Sequence, residues 1–231
     1  MLPVQVSIVI PVWNKDELVR LLCRRAVASI LNYVEAPYEL ILIDNASPCG
    51  VLVNDLVDLL EEIPSKEWSI RTMEKNIGFG PAVNIGLALA QGRYFCQMNT
   101  DVELVEDSVS MLIEILEKNH FDAVMPEHFE NCMHYSMGKK DELMTESWRF
   151  GAFYLGLRDS FRKVCGYNER FRMCYWEDTD LWARMEKEGM RLCGWRGTWV
   201  SHWGGASAHP DRDRFFAENR ALYASLHGLE S

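Results

Sequence analysis

Short apolar runs alternate with segments of helical periodicity through the first half of the chain. The apolar runs lie at residues 6–12, 39–43, 69–74 and 93–98, and helical spacing of leucine, isoleucine or alanine occurs at 15–31, 52–63 and 82–91. Strands joined by short helical crossovers lie parallel in one sheet, with the helices on its faces. The sequence therefore predicts an α/β fold with a Rossmann-like, mostly parallel central sheet flanked by helices.

The second half of the chain is less regular. A helical pattern at 107–119 and an apolar run at 123–125 precede a polar stretch at 127–149 without a clean period. We interpret that stretch either as a ligand-facing loop or as a plain surface connection. The remaining predicted elements are a strand at 152–157, helices at 160–164 and 175–188, a strand at 192–195 and a helical tail at 213–226 that could cover a site.

Charge and cysteine content narrow the classes of partner. The formal net charge of −10 at pH 7 argues against a surface that contacts many phosphates, although a local basic patch would still allow nucleic acid as a minor partner. The seven cysteines have no C-x-x-C spacing, which is typical of free thiols in a reducing cytoplasm. No apolar run reaches the roughly 18 residues of a membrane span, so we expect a cytoplasmic protein without a transmembrane segment.

Polar residues follow the apolar strands at the sheet edge where α/β proteins bind ligands. Asn14, a candidate cap for the first helix, ends the first strand, Asp44 follows the second, and Asp101 follows the fourth in M-N-T-D-V-E. Asp101 is our candidate metal ligand; the alternatives are a turn carboxylate or a cap for the helix that begins near Asp107. The chain contains neither a G-x-G-x-x-G fingerprint nor a P-loop.

Acidic residues and one histidine stand out in the second half. Glu177, Asp178 and Asp180 open a predicted helix, where they either cap it or form a functional carboxylate cluster. His202 precedes a Gly-Gly turn, which would let its loop approach a metal, although a lone histidine is more often structural. The sequence therefore offers two candidate groups of site residues.

Six segments carry a resemblance to a known family. In chain order they are V-S-I-V-I-P-V-W-N, L-I-L-I-D-N-A-S, N-I-G-F-G-P-A-V-N-I-G-L-A-L-A-Q-G, M-N-T-D-V-E, G-Y-N-E-R-F-R-M-C-Y-W-E-D-T-D-L-W-A-R and S-H-W-G-G-A-S. With these segments the chain resembles the family 2 glycosyltransferases, especially their rhamnosyltransferase-like branch. The resemblance implies a single glycosyltransferase A-type domain over 1–231, with a nucleotide-sugar-binding half at 1–104 and an acceptor-binding half at 105–231.

The resemblance also implies a reaction and its partners. The donor would be a UDP-, dTDP- or GDP-sugar, the acceptor a glycan or another hydroxyl-bearing molecule, and the cofactor Mn²⁺ or Mg²⁺. The reaction would invert the anomeric carbon. A lipid-linked acceptor would require peripheral docking of the protein at a membrane.

Site residues are assigned by the same resemblance. It places Asp101 and His202 at the metal, and it makes Asp178 the general base with Glu177 beside it. Residues that would contact or border the donor are Pro11, Trp13, Asp44, Gly78, Asn84, Asn99 and Thr100. Asn99 departs from the family pattern, because it stands where a strict D-x-D motif has its first aspartate.

Two other functions are consistent with parts of the sequence. A sugar-phosphate nucleotidyltransferase would share the sheet and the metal, but it would carry a glycine-rich basic loop where this chain has Pro11-Val12-Trp13-Asn14. A non-catalytic nucleotide-sugar-binding module would keep the sheet without the chemistry. The joint presence of Asp101, Asp178 and His202 argues against such a module.

Overall fold

The computed structural model describes residues 4–49, 52–64, 67–130, 141–144 and 151–229. Within these ranges the chain forms nine strands and seven helices. In chain order they are β1 (Val6–Val12), α1 (Glu17–Tyr33), β2 (Tyr38–Asp44), α2 (Leu52–Leu60), β3 (Trp68–Thr72), α3 (Phe79–Leu89), β4 (Tyr94–Met98), β5 (Val102–Leu104), α4 (Ser108–Asn119), β6 (Ala123–Glu130), β7 (Leu143–Met144), β8 (Phe153–Leu157), α5 (Arg158–Lys163), α6 (Glu177–Lys187), β9 (Leu192–His202) and α7 (Arg212–His227).

One sheet contains all the described strands, in the order β3-β2-β1-β4-β8-β6-β9-β5, with β7 also paired to β9. Strands β3, β2, β1 and β4 pair with one another in parallel. Strand β8 then enters antiparallel between β4 and β6, and β5 and β7 run antiparallel to β9. The α/β class is confirmed. The expected mostly parallel sheet holds for the first half, and the second half corrects it to a mixed sheet because β8 reverses direction.

Both faces of the sheet are covered, which explains the continuous apolar runs of its strands. On β1, Ile8 and Ile10 belong to the core under α1 and α2, while Val9 faces the core under α3 and α6. Helix α3 lies very close to the sheet, because a Cβ atom on Gly86 would lie 2.2 Å from Val9 Cγ1. The glycine in α3 thus allows that helix to pack closely against β1.

Several element boundaries differ from the sequence prediction. Asp16, not Asn14, caps α1, and its Oδ1 accepts a hydrogen bond from Val19 N at 2.9 Å. Asn14 is instead buried, and its N–H donates to Ser47 Oγ at 2.9 Å. The short strand β5 was not predicted, and β9 continues well past residue 195 because it pairs with β5, β6 and β7 in turn.

The polar stretch at 127–149 is partly strand. Strand β6 extends to Glu130 along β9, and β7 pairs with β9 as well. The remaining parts of the stretch, 131–140 and 145–150, lie outside the described residues. Among the helices that are described, none is both long and apolar enough to cross a bilayer.

Candidate functional site

A cavity of about 350 Å³ opens at the carboxyl ends of β1 and β4. The turn after β4, the segment before α6 and the loop after β9 form its walls. Its lining residues are Pro11, Val12, Trp13, Asn45, Asn76, Phe79, Asn99, Thr100, Asp101, Gly151, Ala152, Met173, Cys174, Tyr175, Glu177, Asp178, His202, Gly205, Ser207, Ala208 and His209. Both groups of candidate residues from the sequence, the Asp101–His202 group and the Glu177–Asp178 group, therefore face one space.

Asp101 and His202 meet because β5 pairs with the end of β9. Val102 lies opposite His202 in that pairing, and Asp101 Oδ1 is 3.5 Å from His202 Nε2. Asp101 is 2 % exposed and its Oδ1 has no hydrogen-bond partner. Its Oδ2 accepts a bond from Ser207 Oγ at 3.3 Å. Asp101 does not cap α4, since Asp107 Oδ1 accepts from Ser110 N at 3.0 Å.

This pair has the donor atoms that a divalent cation requires. A buried carboxylate oxygen without a hydrogen-bond partner is costly unless a ligand satisfies it. Carboxylate oxygen binds both Mg²⁺ and Mn²⁺, and an imidazole nitrogen beside it suits a transition metal such as Mn²⁺ better than Mg²⁺. No group of three or more His, Cys, Asp or Glu side chains within the described ranges is arranged to hold a metal. A cation held by Asp101 and His202 would therefore take its other ligands from a bound molecule and water.

A second imidazole lies behind His202. The rings of His128 and His202 are 5.8 Å apart, centroid to centroid, in an edge-on arrangement. Burial, followed by the proximity of His202, lowers the pKa of His128 to about 3. His128 is therefore a neutral group at the back of the Asp101–His202 pair.

Glu177 and Asp178 begin α6, but neither caps it. The N-cap is Trp176, in the left-handed region with φ 71° and without a side-chain cap bond. Glu177 is 7 % exposed and its Oε2 has no hydrogen-bond partner. Asp178 is half-buried, and its Oδ1 accepts bonds from Thr179 N at 2.7 Å and from Thr179 Oγ1 at 3.3 Å. Both carboxylates thus line the cavity wall at the start of the helix.

The two carboxyl groups differ in their hydrogen bonding. Burial, with the Asp178 charge as the second cause, raises the pKa of Glu177 well above its usual value. Burial also raises the pKa of Asp178, but the hydrogen bonds from Thr179 oppose that rise. Both pKa values are therefore raised by burial, and Thr179 stabilises the charged form of Asp178 alone. A Cβ atom on Gly151 would lie 2.8 Å from Asp178 Oδ2, so the opposite wall closely confines this carboxylate.

Asp180, the third acidic residue of this helix start, has a structural environment. Its Oδ2 accepts from Arg184 Nε at 2.7 Å, and its Oδ1 lies 3.0 Å from His227 Nε2 on α7. The three carboxylates therefore occupy two kinds of position. Glu177 and Asp178 line the cavity, whereas Asp180 contacts side chains of both α6 and α7.

The end of β1 forms the wall assigned to the nucleoside. Pro11 and Trp13 both line the cavity. The Trp13 ring stacks on His209 with centroids 5.4 Å apart and an interplanar angle of 12°. Lys15 Nζ donates to the Ala208 carbonyl at 2.7 Å, so the loop after β9 is held against the end of β1 at two points.

Asp44 is near this wall but does not line the cavity. Its Oδ1 accepts from Ser47 N at 3.0 Å and it is 5 % exposed. Its neighbour Asn45 does line the cavity. The Asn45 amide donates to Asn76 Oδ1 and to the Gly78 carbonyl, both at 3.0 Å. Asn45 therefore ties the end of β2 to the loop before α3.

Gly78 and Asn84 also lie outside the cavity lining. Gly78 has φ +96°, and an added Cβ atom would lie 3.1 Å from Met173 N. The Asn84 side chain accepts from Tyr167 N at 2.8 Å and donates to Glu169 Oε1 at 3.0 Å. Both residues therefore support the segment before α6. Asn99 and Thr100 do line the cavity.

Several lining residues were not named as candidates from the sequence. Met173, Cys174 and Tyr175 are separated from Glu177 only by Trp176, and their place in that segment is the signal that could have suggested them. Ser207 and His209 lie in the loop after the Gly-Gly turn, where no helix or strand period indicates which side chains face the cavity. The stacking of His209 on Trp13 depends on tertiary structure alone.

Comparison with known proteins gives a family and a fold. The family model described as Glycosyl transferase family 2 matches residues 7–176. The chain is 26% identical over 123 residues to "Dodecaprenyl-phosphate galacturonate synthase" of Rhizobium johnstonii, a match that covers 52% of this chain and 35% of that protein. It is 26% identical over 116 residues to "Undecaprenyl-phosphate 4-deoxy-4-formamido-L-arabinose transferase" of Sodalis glossinidius, covering 50% and 35%. The match thus spans about a third of the length of these relatives.

Two solved structures are similar over almost the whole chain. The crystal structure of GalNAc-T7 with UDP, GalNAc and Mn²⁺ has a TM-score of 0.74 at 14% identity, covering 97% of this chain and 48% of that one. The crystal structure of S. aureus TarS 1-349 has a TM-score of 0.71 at 13% identity, covering 96% and 64%. At such identity the similarity establishes the fold, and the predicted glycosyltransferase A-type architecture is confirmed.

Proposed function

Because the chain belongs to glycosyl transferase family 2, we propose that it is an inverting, metal-dependent glycosyltransferase that moves a sugar from a nucleotide-sugar donor to an acceptor hydroxyl. The observation that carries the proposal is the composition of one cavity. Asp101 and His202 supply cation ligands, and Glu177 and Asp178 supply carboxylates with raised pKa values. In a sugar transfer the cation would neutralise the leaving diphosphate, and a carboxylate base would take the proton of the attacking hydroxyl.

The donor half of the proposal uses the walls formed by β1 and β4. Trp13 presents an aromatic ring to the nucleoside, and Asn99 and Thr100 lie beside Asp101 where the diphosphate would sit. A divalent cation, Mn²⁺ or Mg²⁺, would neutralise the charge that develops on the leaving phosphate. Asp101 and His202 would hold it. The GalNAc-T7 structure, which contains UDP and Mn²⁺, supports this pairing of fold and cofactor.

The acceptor half of the proposal assigns proton removal to Asp178. The acceptor oxygen attacks the anomeric carbon and forms a new C–O bond, while the bond from that carbon to the phosphate oxygen breaks and leaves its electron pair on the diphosphate. Asp178 takes the hydroxyl proton. A positioned base of this kind contributes about 10²–10⁴-fold to the rate. One displacement inverts the configuration at the anomeric carbon.

The names of the relatives also bear on the acceptor and on where in the cell the protein would act. The names of two relatives refer to prenyl phosphates, which supports a lipid-linked acceptor reached by peripheral docking of a cytoplasmic protein. A glycan or another hydroxyl-bearing molecule fits the same chemistry. The rhamnosyltransferase-like branch stays a prediction.

The test is a transfer assay with the purified chain. UDP-, dTDP- and GDP-sugars would be offered with a panel of glycan and prenyl-linked acceptors, with Mn²⁺, with Mg²⁺ and with EDTA. We expect release of one nucleoside diphosphate that depends on the cation, and an NMR spectrum showing inverted anomeric configuration in the product. Retained configuration would contradict the single displacement. Formation of a nucleotide-sugar from a nucleoside triphosphate would identify a nucleotidyltransferase, and donor binding without turnover would identify a binding module.

A further inference from the structure

The segment directly before the two cavity carboxylates is strained. Met173, Tyr175 and Trp176 have φ of 58°, 75° and 71°. Left-handed backbone is unfavourable for a residue with a side chain, so three such residues within four positions persist only when the surroundings enforce them. The carboxylates of Glu177 and Asp178 follow immediately. Their direction into the cavity therefore depends on whatever holds this segment.

One side chain from the C-terminal helix α7 holds it. Asn219 is 2 % exposed. Its Oδ1 accepts from Arg172 N at 3.1 Å, and its Nδ2 lies 2.8 Å from the Arg172 carbonyl, 2.9 Å from the Cys174 carbonyl and 3.0 Å from the Tyr175 carbonyl. A single buried amide thus reaches four backbone groups of this segment, with its two N–H groups shared among three carbonyls, across 44 to 47 positions of sequence.

Aromatic contacts from the same helix reinforce this attachment. Phe216 lies 5.7 Å, centroid to centroid, from both Tyr175 and Trp176. Tyr223 lies 5.2 Å from Trp176. These rings pack on the side chains of Tyr175 and Trp176. Among the contacts described for α7, Asn219 alone bonds backbone groups of residues 172–176. The Met173 carbonyl accepts from Phe79 N at 2.7 Å on the α3 side.

We propose that Asn219 is a positioning residue of the transferase: from α7 it fixes the strained backbone at 172–176 and thereby aims Glu177 and Asp178 into the cavity. The inference rests on the proposed function, which it deepens. The family match ends at residue 176, so α7 and Asn219 lie beyond the part of the chain that the family assignment describes. Without the amide, three carbonyls lose their donor and the left-handed residues can relax, which moves the start of α6.

The test compares Asn219→Ala with Arg220→Ala, an exposed neighbour on the same helix. We expect Asn219→Ala to lower kcat for transfer about 10–100-fold, because a displacement of about 1 Å in a catalytic group has an effect of that size. The dissociation constant of the nucleoside diphosphate with Mn²⁺ should stay at the wild-type value, since Asp101 and the β1 wall are untouched. Arg220→Ala should match the wild type in kcat and in this dissociation constant. Asn219→Ser, whose hydroxyl can bond a carbonyl one turn back in the helix, is the second variant if alanine prevents folding.

Amide hydrogen exchange of residues 172–176 gives a readout that needs no turnover. Exchange should be faster in both Asn219 variants than in Arg220→Ala, with Arg172 N–H most affected because it loses its acceptor. An unchanged kcat despite lower thermal stability would overturn the proposal and leave Asn219 a structural residue. Equal loss of kcat and nucleotide affinity would also overturn it, because the whole cavity would then have collapsed. Absence of transfer by the wild type would refute the proposed function instead, and the exchange rates would still decide whether Asn219 fixes the segment.

Discussion

Glu177 and Asp178 are adjacent in the chain, yet their hydrogen bonding differs. Glu177 has a buried oxygen without a hydrogen-bond partner, whereas Asp178 receives two hydrogen bonds from Thr179 that favour its charged form. A general base must be ionised before it can accept a proton. The difference in hydrogen bonding therefore favours Asp178 as the base.

Replacement of Asp178 by Asn should remove proton transfer and leave donor binding intact. The amide keeps the size of the carboxylate but cannot take a proton, so kcat should fall about 10²–10⁴-fold. Glu186→Gln makes the same chemical change on an exposed position of α6 and should retain wild-type turnover. Steady-state kinetics at saturating donor measure kcat for the two variants. If Asp178→Asn turned over normally and Glu177→Gln did not, the base would be Glu177.

Glu177→Gln should stabilise the fold at neutral pH. Because burial raises the pKa of Glu177, the folded state binds a proton that the unfolded state has lost above its ordinary pKa of about 4.3. Stability then falls as pH rises from that value toward the raised pKa, by about 1.4 kcal/mol per unit of the rise. Glutamine has no charge to bury, so this loss disappears.

Thermal denaturation between acidic and neutral pH tests whether the stability of the wild type falls relative to that of Glu177→Gln as pH rises. The melting temperature of Glu177→Gln should equal that of the wild type at the acidic end and exceed it increasingly as pH rises. A variant that is destabilised equally at every pH would show that the Glu177 side chain makes a favourable contact that the structure does not reveal.

The site residues show what a sequence can and cannot predict about side-chain direction. Asp101 was named from its place after a predicted strand and His202 from the Gly-Gly turn that follows it, and they meet because β5 and β9 pair there. Asp44 also ends a strand, but its carboxylate turns to Ser47 N. His209 reaches the cavity only because its loop folds back on Trp13. Position along a strand is readable from sequence, whereas the direction of a turn side chain depends on tertiary contacts.

At the scale of elements, α3 shows how small residues position the site. Its close approach to β1 depends on Gly86, where a Cβ atom would lie 2.2 Å from Val9 Cγ1. This approach places the loop before α3 beside the cavity wall that Asn45 supports. Overpacking a well-packed core costs typically about 1–3 kcal/mol.

Gly86→Ala should therefore destabilise the protein despite the better helix propensity of alanine. The propensity gain is about 1 kcal/mol at most, which offsets only part of the clash. Each kcal/mol of net loss should lower the melting temperature by about 2–4 °C in a chain of this size. Chemical denaturation of the variant beside the wild type measures the change. A rise in unfolding free energy would mean that α3 can move away from β1 without cost.

The elements that sequence analysis missed are those whose pairing is remote. Strand β8 was predicted as a strand, but its antiparallel insertion between β4 and β6 was not. Strand β5 has only three residues. Val102–Leu104 form a strand because they pair with the end of β9, about a hundred positions later in the sequence. Periodicity reports local conformation, and strand order is decided by which edges meet in the folded chain.

At the scale of the whole molecule, the cavity draws on the length of the chain from Pro11 to His209. The family match covers residues 7–176, so Glu177, Asp178, His202 and the loop after β9 complete the site from beyond that match. In the proposed reaction the donor and its cation would use the ends of β1 and β4 together with His202, and the acceptor side would use Glu177 and Asp178. This division predicts that donor binding and proton transfer can be lost separately.

Titration calorimetry of the nucleoside diphosphate into three proteins, with and without Mn²⁺, tests that division most directly. In the wild type we expect affinity that Mn²⁺ increases. Asp101→Asn weakens the cation ligand, so the increase should disappear, whereas Glu114→Gln on the exposed face of α4 should retain it. Asp178→Asn should bind nucleotide and Mn²⁺ as the wild type does. The account is contradicted if Asp101→Asn keeps the full Mn²⁺-dependent affinity, or if Asp178→Asn loses it.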